Sequence, residues 1–162
     1  MKDTILGLHA FNLVYAQKIV ADIPDERLAE QPVPGRVMNH AAFLLGHLAW
    51  ANDNGVRVTG RPAQLPVRWK ELFAMGNQPQ GDRSLYPPKA ELLAALEGAH
   101  ARLAEAFLSA PDELLAQPGP ERLRVRFPTN GHLLIGLLTS HAASHNGQMS
   151  AWRRAMGWPS VF

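Results

Sequence analysis

The stretch TNGHLLIGLLTSHAASHNGQMSAWRRAM, residues 129–156, decides the fold. Leu134, Leu138, His141, His145, Gln148 and Trp152 succeed one another at helical spacing, so the segment reads as a long helix with an inward stripe. Thr129 or Asn130 can cap its start, and Gly157 followed by Pro159 closes it. Two histidines interrupt the apolar line. Residues four apart on a helix are offset by about 40° and rise about 6 Å, so His141 and His145 can reach one ion. Burying two unpaired imidazoles is unfavourable, and a metal would use both lone pairs. By itself the pair reads equally well as two hydrogen-bonded histidines.

Three more helices are predicted upstream. The first covers residues 3–22, with Leu6, Leu13 and Val20 on one stripe and Pro24 beyond its end. The second begins at Asn39, a good N-cap, and runs through HAAFLLGHLAWAN to Gly55. The third covers residues 89–109, with Leu92, Leu93, Leu96, Leu103 and Phe107 on its apolar face and Pro88 and Pro111 as its punctuation. About 33 residues separate helices two and three and include PVRWKELFAMG, which suits a short helix. A connection that long lets helices two and three run parallel. Between helices three and four, PDELLAQPGPERLRVRFP is expected to hold one helical turn and an extended RLRVRF, which alternates with period two. No repeat or linker divides the chain. The expectation is an all-α four-helix bundle, one domain over residues 1–162.

A third imidazole would strengthen the metal reading. The second helix carries His47 in LLGHLAW and His40 seven residues earlier, about 10.5 Å away along the axis. Both cannot serve one ion. His40 stands at the helix start, where a cap or solvent can satisfy it, so His47 is the candidate ligand. Trp50, Asp53, Asn54 and Gln148 are candidate lining residues. His9 reads as a helix-face histidine with a water or carbonyl partner, and His132 lies too far along the helix to join the pair. Glu97 and His100 form a single Glu-x-x-His, whereas di-iron bundles need two with two further glutamates. Ala142, Ala143 and Ser144 separate the paired histidines, so the pair holds no zincin-type glutamate base.

Composition removes other classes. The formal net charge of +2 and the short cluster Arg122, Arg124 and Arg126 give no nucleic-acid footprint. That cluster reads as a solvated surface segment, and Arg153 with Arg154 as a solvated helix end that complements the dipole. No run approaches the roughly 20 apolar residues of a membrane span. The first twenty residues lack the pattern of a signal peptide, so a cytoplasmic protein is expected. The chain has no cysteine, which rules out thiolate ligands, disulfides and a cysteine nucleophile.

The motifs NHAAFLLGHLAW, ELFAMGNQPQGDRSLYPPKAELL and SHAASHNGQMSAWRRAMGWP together resemble the DinB-like superfamily over nearly the whole chain. The most specific parts are Gly-His-Leu in the second helix and the late His-x-x-x-His followed by Gly-Gln and an arginine pair. The resemblance implies a four-helix bundle with an up-down-down-up path, often dimeric. It implies a divalent metal, nickel or zinc foremost, held by His47, His141 and His145. It also implies a low-molecular-weight thiol as cosubstrate, as in relatives that use mycothiol or bacillithiol.

Three neutral imidazoles leave an ion's charge intact and a coordination position open, which makes a bound thiol or water nucleophilic near neutral pH. The expected function is therefore a metal-dependent thiol S-transferase or hydrolase acting on a small molecule, as a homodimer. The alternative is a non-enzymatic stress-response or small-ligand-binding bundle whose metal is structural or absent.

Overall fold

Proline and the lack of apolar periodicity stop each helix, and the segments between helices decide which faces meet. The computed structural model describes residues 1–161, all of them in helices, turns or irregular segments, with no strand among them. Helix α1 spans Lys2–Val20 and α2 spans Ala41–Gly55. A short α3, Arg68–Phe73, lies in the long connection, and α4 spans Lys89–Ser109, the bounds expected from sequence. A turn of helix, α5, covers Asp112–Ala116. Helix α6, Asn130–Gly136, passes through a π-helical turn, Leu137–His141, into α7, Ala142–Ala155.

Hydrogen bonds fix how the helices run past one another. Lys2 Nζ donates to the carbonyls of Leu108 and Ala110, while the Lys89 amide donates to Asp25, so α1 and α4 are antiparallel. His9 lies against the Leu138 carbonyl and Arg153 donates to the Ile19 carbonyl, so α1 and α7 run in the same sense. The α2 start packs with Leu92 and Leu96 and its end with Leu103, so α2 and α4 run in parallel. The long connection through α3 makes that pairing feasible.

Helix α2 is the centre of the bundle, with 13 of its 15 residues buried. It has no polar face to give to solvent because other elements surround it. Its cap is His40 and not Asn39: His40 Nδ1 accepts from the Phe43 amide at 3.2 Å, and Nε2–H donates to the Gln80 carbonyl at 2.9 Å. The Asn39 side chain instead donates to Gln148.

Three other expectations are corrected. In α1 the buried face is His9, Asn12, Ala16, Ile19 and Val20, while Leu6 and Leu13 are only half-buried. Polar side chains turn that face inward: His9 and the Asn12 Nδ2 group both meet carbonyls of the π turn. Residues 122–127 form no strand. A 3₁₀ turn at Glu121–Leu123 leads into a bend in which the Leu123 carbonyl accepts from Arg126 and Phe127, and Val125 points into solvent with nothing to pair against. Arg153 is no solvated end. It is 2% exposed, donates to the carbonyls of Ile19 and Pro159, and pairs with the Asp22 carboxylate. No helix is long and apolar enough to cross a membrane.

Candidate metal centre

Each of the three histidines is placed by a different device. His47 depends on the glycine before it. A Cβ on Gly46 would lie 2.2 Å from the Phe73 ring, so only glycine lets α3 approach α2 this closely. That approach brings the Phe73 carbonyl to His47 Nδ1 at 2.7 Å. A carbonyl only accepts, so Nδ1 carries the proton and the Nε2 lone pair faces inward. This is the outer support that metal-binding imidazoles characteristically have.

His141 closes the π turn, and His145 stands one turn later in α7. A π turn inserts extra backbone into the helix and reorients the residues beyond it, and such turns recur at functional sites. Here it joins α6 to α7, ends on His141 and precedes His145. His145 Nδ1 stands 3.2 Å from Gln148 Oε1, and that same oxygen accepts from Asn39 Nδ2 at 2.9 Å. His141 Nδ1 is buried and has no hydrogen-bond partner among the described residues.

The rings converge. Centroids are 5.2 Å apart for His47–His141, 4.7 Å for His47–His145 and 4.5 Å for His141–His145. One nitrogen from each lies within 4.8 Å of the others. His47 Nε2 and His141 Nε2 are 3.2 Å apart. Two nitrogens bound at about 2.0–2.1 Å to one tetrahedral ion stand about 3.3–3.4 Å apart, so the observed spacing suits a shared cation. Without one, the His47 lone pair has only another imidazole to face.

Electrostatics keep the trio neutral. Burial, then the neighbouring His145 and His47, then Arg126 push His141 down to about 3. Burial, His47 and Arg126 push His145 down to about 4, against the hydrogen bond to Gln148. Burial lowers His47, against its bond to the Phe73 carbonyl. Neutral imidazoles need shed no proton before they bind a cation.

The three histidines open on a cavity of about 800 Å³, a size that suits small-molecule ligands. Trp50, Asn54 and Gln148 line it, with Phe43 beside them. Asp53 does not. It is fully buried, and its carboxylate accepts from the Gln64 and Leu65 amides and from Arg102, which ties the loop after α2 to α4. His40 stays outside the centre as the α2 cap. His132 is exposed beside Thr129, and Glu97 accepts from Gln17 and does not join His100.

Sequence reasoning missed the Phe73 carbonyl, the π turn, and three arginines at the cavity: Arg57, Arg122 and Arg126. The Gly-His pair in α2 was the signal for the first. The alternation of Arg122 and Arg126 was a signal for the last, but it reads as a strand until the fold brings both to the cavity.

The family model of the DinB superfamily matches residues 13–149, a span that holds all three histidines, the whole of α2 and the first half of α7. No curated protein and no solved structure matches the chain. With most of its length matched, the chain belongs to the DinB superfamily.

Proposed function

We propose that this chain is a divalent-metal-dependent enzyme of small-molecule chemistry, a thiol S-transferase ahead of a hydrolase, with nickel or zinc held by His47, His141 and His145. The observation that carries the reading is the convergence of three neutral imidazoles at the wall of a cavity large enough for a substrate. A divalent ion bound there would act as a Lewis acid and lower the pKa of a coordinated thiol.

The chain's own residues have separate tasks. The Phe73 carbonyl orients His47, and Gln148 steadies His145. Phe43 and Trp50 flank the His47 ring, with centroids 6.0 Å and 6.4 Å away, and would limit water at the ion. No Asp or Glu lines the cavity among the described residues. Peptide or ester hydrolysis by a zincin-type mechanism needs a carboxylate base, so that omission favours transfer of a thiol over hydrolysis. The chain lacks cysteine, so the thiol comes as a cosubstrate. The reading also includes a single domain, a homodimer and a cytoplasmic setting.

The test loads the purified protein with nickel or zinc and assays S-conjugation with a panel of low-molecular-weight thiols. Turnover that disappears in His145→Ala supports the enzyme. An ion whose coordination sphere is closed by protein alone, with no turnover for any thiol, supports a structural metal in a non-enzymatic bundle.

A further inference from the structure

Three arginines line the cavity. Arg57 follows α2 in the 3₁₀ turn Val56–Thr59, Arg122 lies in the turn before α6, and Arg126 lies beside Phe127. All three line the cavity that holds the histidines, and all three are exposed. Elsewhere in the described residues Arg27, Arg61, Arg68, Arg83, Arg102 and Arg153 each form an ion pair with an acidic side chain. Among the described residues the three cavity arginines form no such pair, and neither do Arg36, Arg124 and Arg154, which lie outside the cavity lining.

Three guanidinium groups without acidic partners, over a low-dielectric wall, make a focused positive potential. Arginine is also the side chain whose fork of donors matches a carboxylate. Apolar side chains, among them Leu123, Phe127, Leu133 and Leu137, line the same cavity, together with amides such as Asn54 and Gln148. We infer that the cavity selects a small molecule with an apolar stem and an ionised carboxylate, its carboxylate held by Arg122 and Arg126 and its other end at the histidines. This inference rests on the metal-centre reading for where the second end goes, and on the arginines alone for the charge preference.

The test uses protein loaded with cobalt(II), whose thiolate charge-transfer band reports a thiol at the ion. The probes are 6-mercaptohexanoate, 6-mercaptohexanol and 6-aminohexanethiol, which share a thiol and a stem and differ in terminal charge. The expected order is carboxylate at least tenfold tighter than alcohol, and alcohol tighter than amine, with the gap narrowing as salt rises. In the double variant Arg122→Gln, Arg126→Gln, the carboxylate and the alcohol should bind within about twofold of each other while the alcohol is unchanged. Equal binding of the three thiols to the unaltered protein overturns the inference, and so does a preference that survives the double variant. Calorimetry of metal-free protein with hexanoate and hexylamine reads the charge preference without the ion. A hexanoate preference there upholds the arginine site even if no cobalt band forms, an outcome that refutes the metal reading alone. Equal or negligible binding of both refutes the arginine site.

Discussion

The bundle gathers two groups of buried and half-buried histidines, and they are built on opposite principles. His9 and His100 stack face to face with centroids 3.3 Å apart and planes within 2°. Their nitrogens look outward to backbone: His9 Nδ1 to the Leu138 carbonyl at 3.2 Å, His9 Nε2 to the His100 carbonyl at 3.1 Å, and His100 Nε2–H to the His9 carbonyl at 2.9 Å. Every one of those partners is an acceptor, so the pair spends its N–H groups on backbone, the neutral His9 ring having one N–H for its two carbonyls. At the second group the nitrogens look toward one another, and the backbone takes a proton only from His47 Nδ1. That group offers lone pairs to a cation. Burial alone does not separate a structural histidine from a ligand. The direction of the lone pairs does.

The largest effect should come from deleting one member of each group. His47→Ala or His145→Ala should weaken nickel or zinc binding at least 100-fold, measured by competition with a chromophoric chelator, with the helical signal retained. His9→Ala should leave metal affinity within a few-fold and instead lower stability by roughly 2–3 kcal/mol, because it strips partners from carbonyls of α4 and the π turn. Equal loss of metal in both would erase the distinction.

Gly46→Ala sharpens it by attacking the support and not the ligand. The added methyl meets the fully buried Phe73 ring, which has no room to retreat. Urea unfolding should show about 1–3 kcal/mol of destabilisation. Metal affinity should fall about tenfold as the Phe73 carbonyl leaves His47.

A third histidine provides a pH control. Burial pushes His40 down to about 4, and its Nδ1 must stay unprotonated to cap α2. In the unfolded chain the same group titrates near 6.5. Between these values the unfolded state binds more protons, so the stabilisation is full above about pH 6.5 and is lost as pH falls toward 4. Unfolding free energy at pH 5 should be lower than at pH 7 by roughly 2 kcal/mol on account of His40. His40→Asn, which can still cap, should flatten that part of the pH profile.

The smallest effect belongs to Gln148→Ala. Gln148 is exposed and bonds only one ring nitrogen, so metal affinity should drop by about tenfold or less.

Much of the fold is legible in the sequence, for identifiable reasons. Helix α4 has prolines at both ends and a clean apolar stripe, so its bounds come from local chemistry. Four-residue spacing puts His141 and His145 together, because a single helix enforces it, with or without the π turn. The partnership with His47 depends on how α2 lies against α7, which no local pattern encodes, and the family resemblance supplies it. The features that escape are tertiary. Arg153 reads as a solvated terminus until Asp22 and the Ile19 carbonyl are brought to it from α1 and the turn beyond. Asp53 reads as a polar lining residue until the loop amides of Gln64 and Leu65 close over it. In both cases a charged side chain is buried by partners distant in sequence.

The most direct test of a cation held by His47, His141 and His145 is the metal content of the protein purified without added metal. The three-histidine centre predicts close to one divalent ion per chain, absent from His47→Ala. Well under one ion on a folded chain, with no uptake of added nickel or zinc, would contradict it.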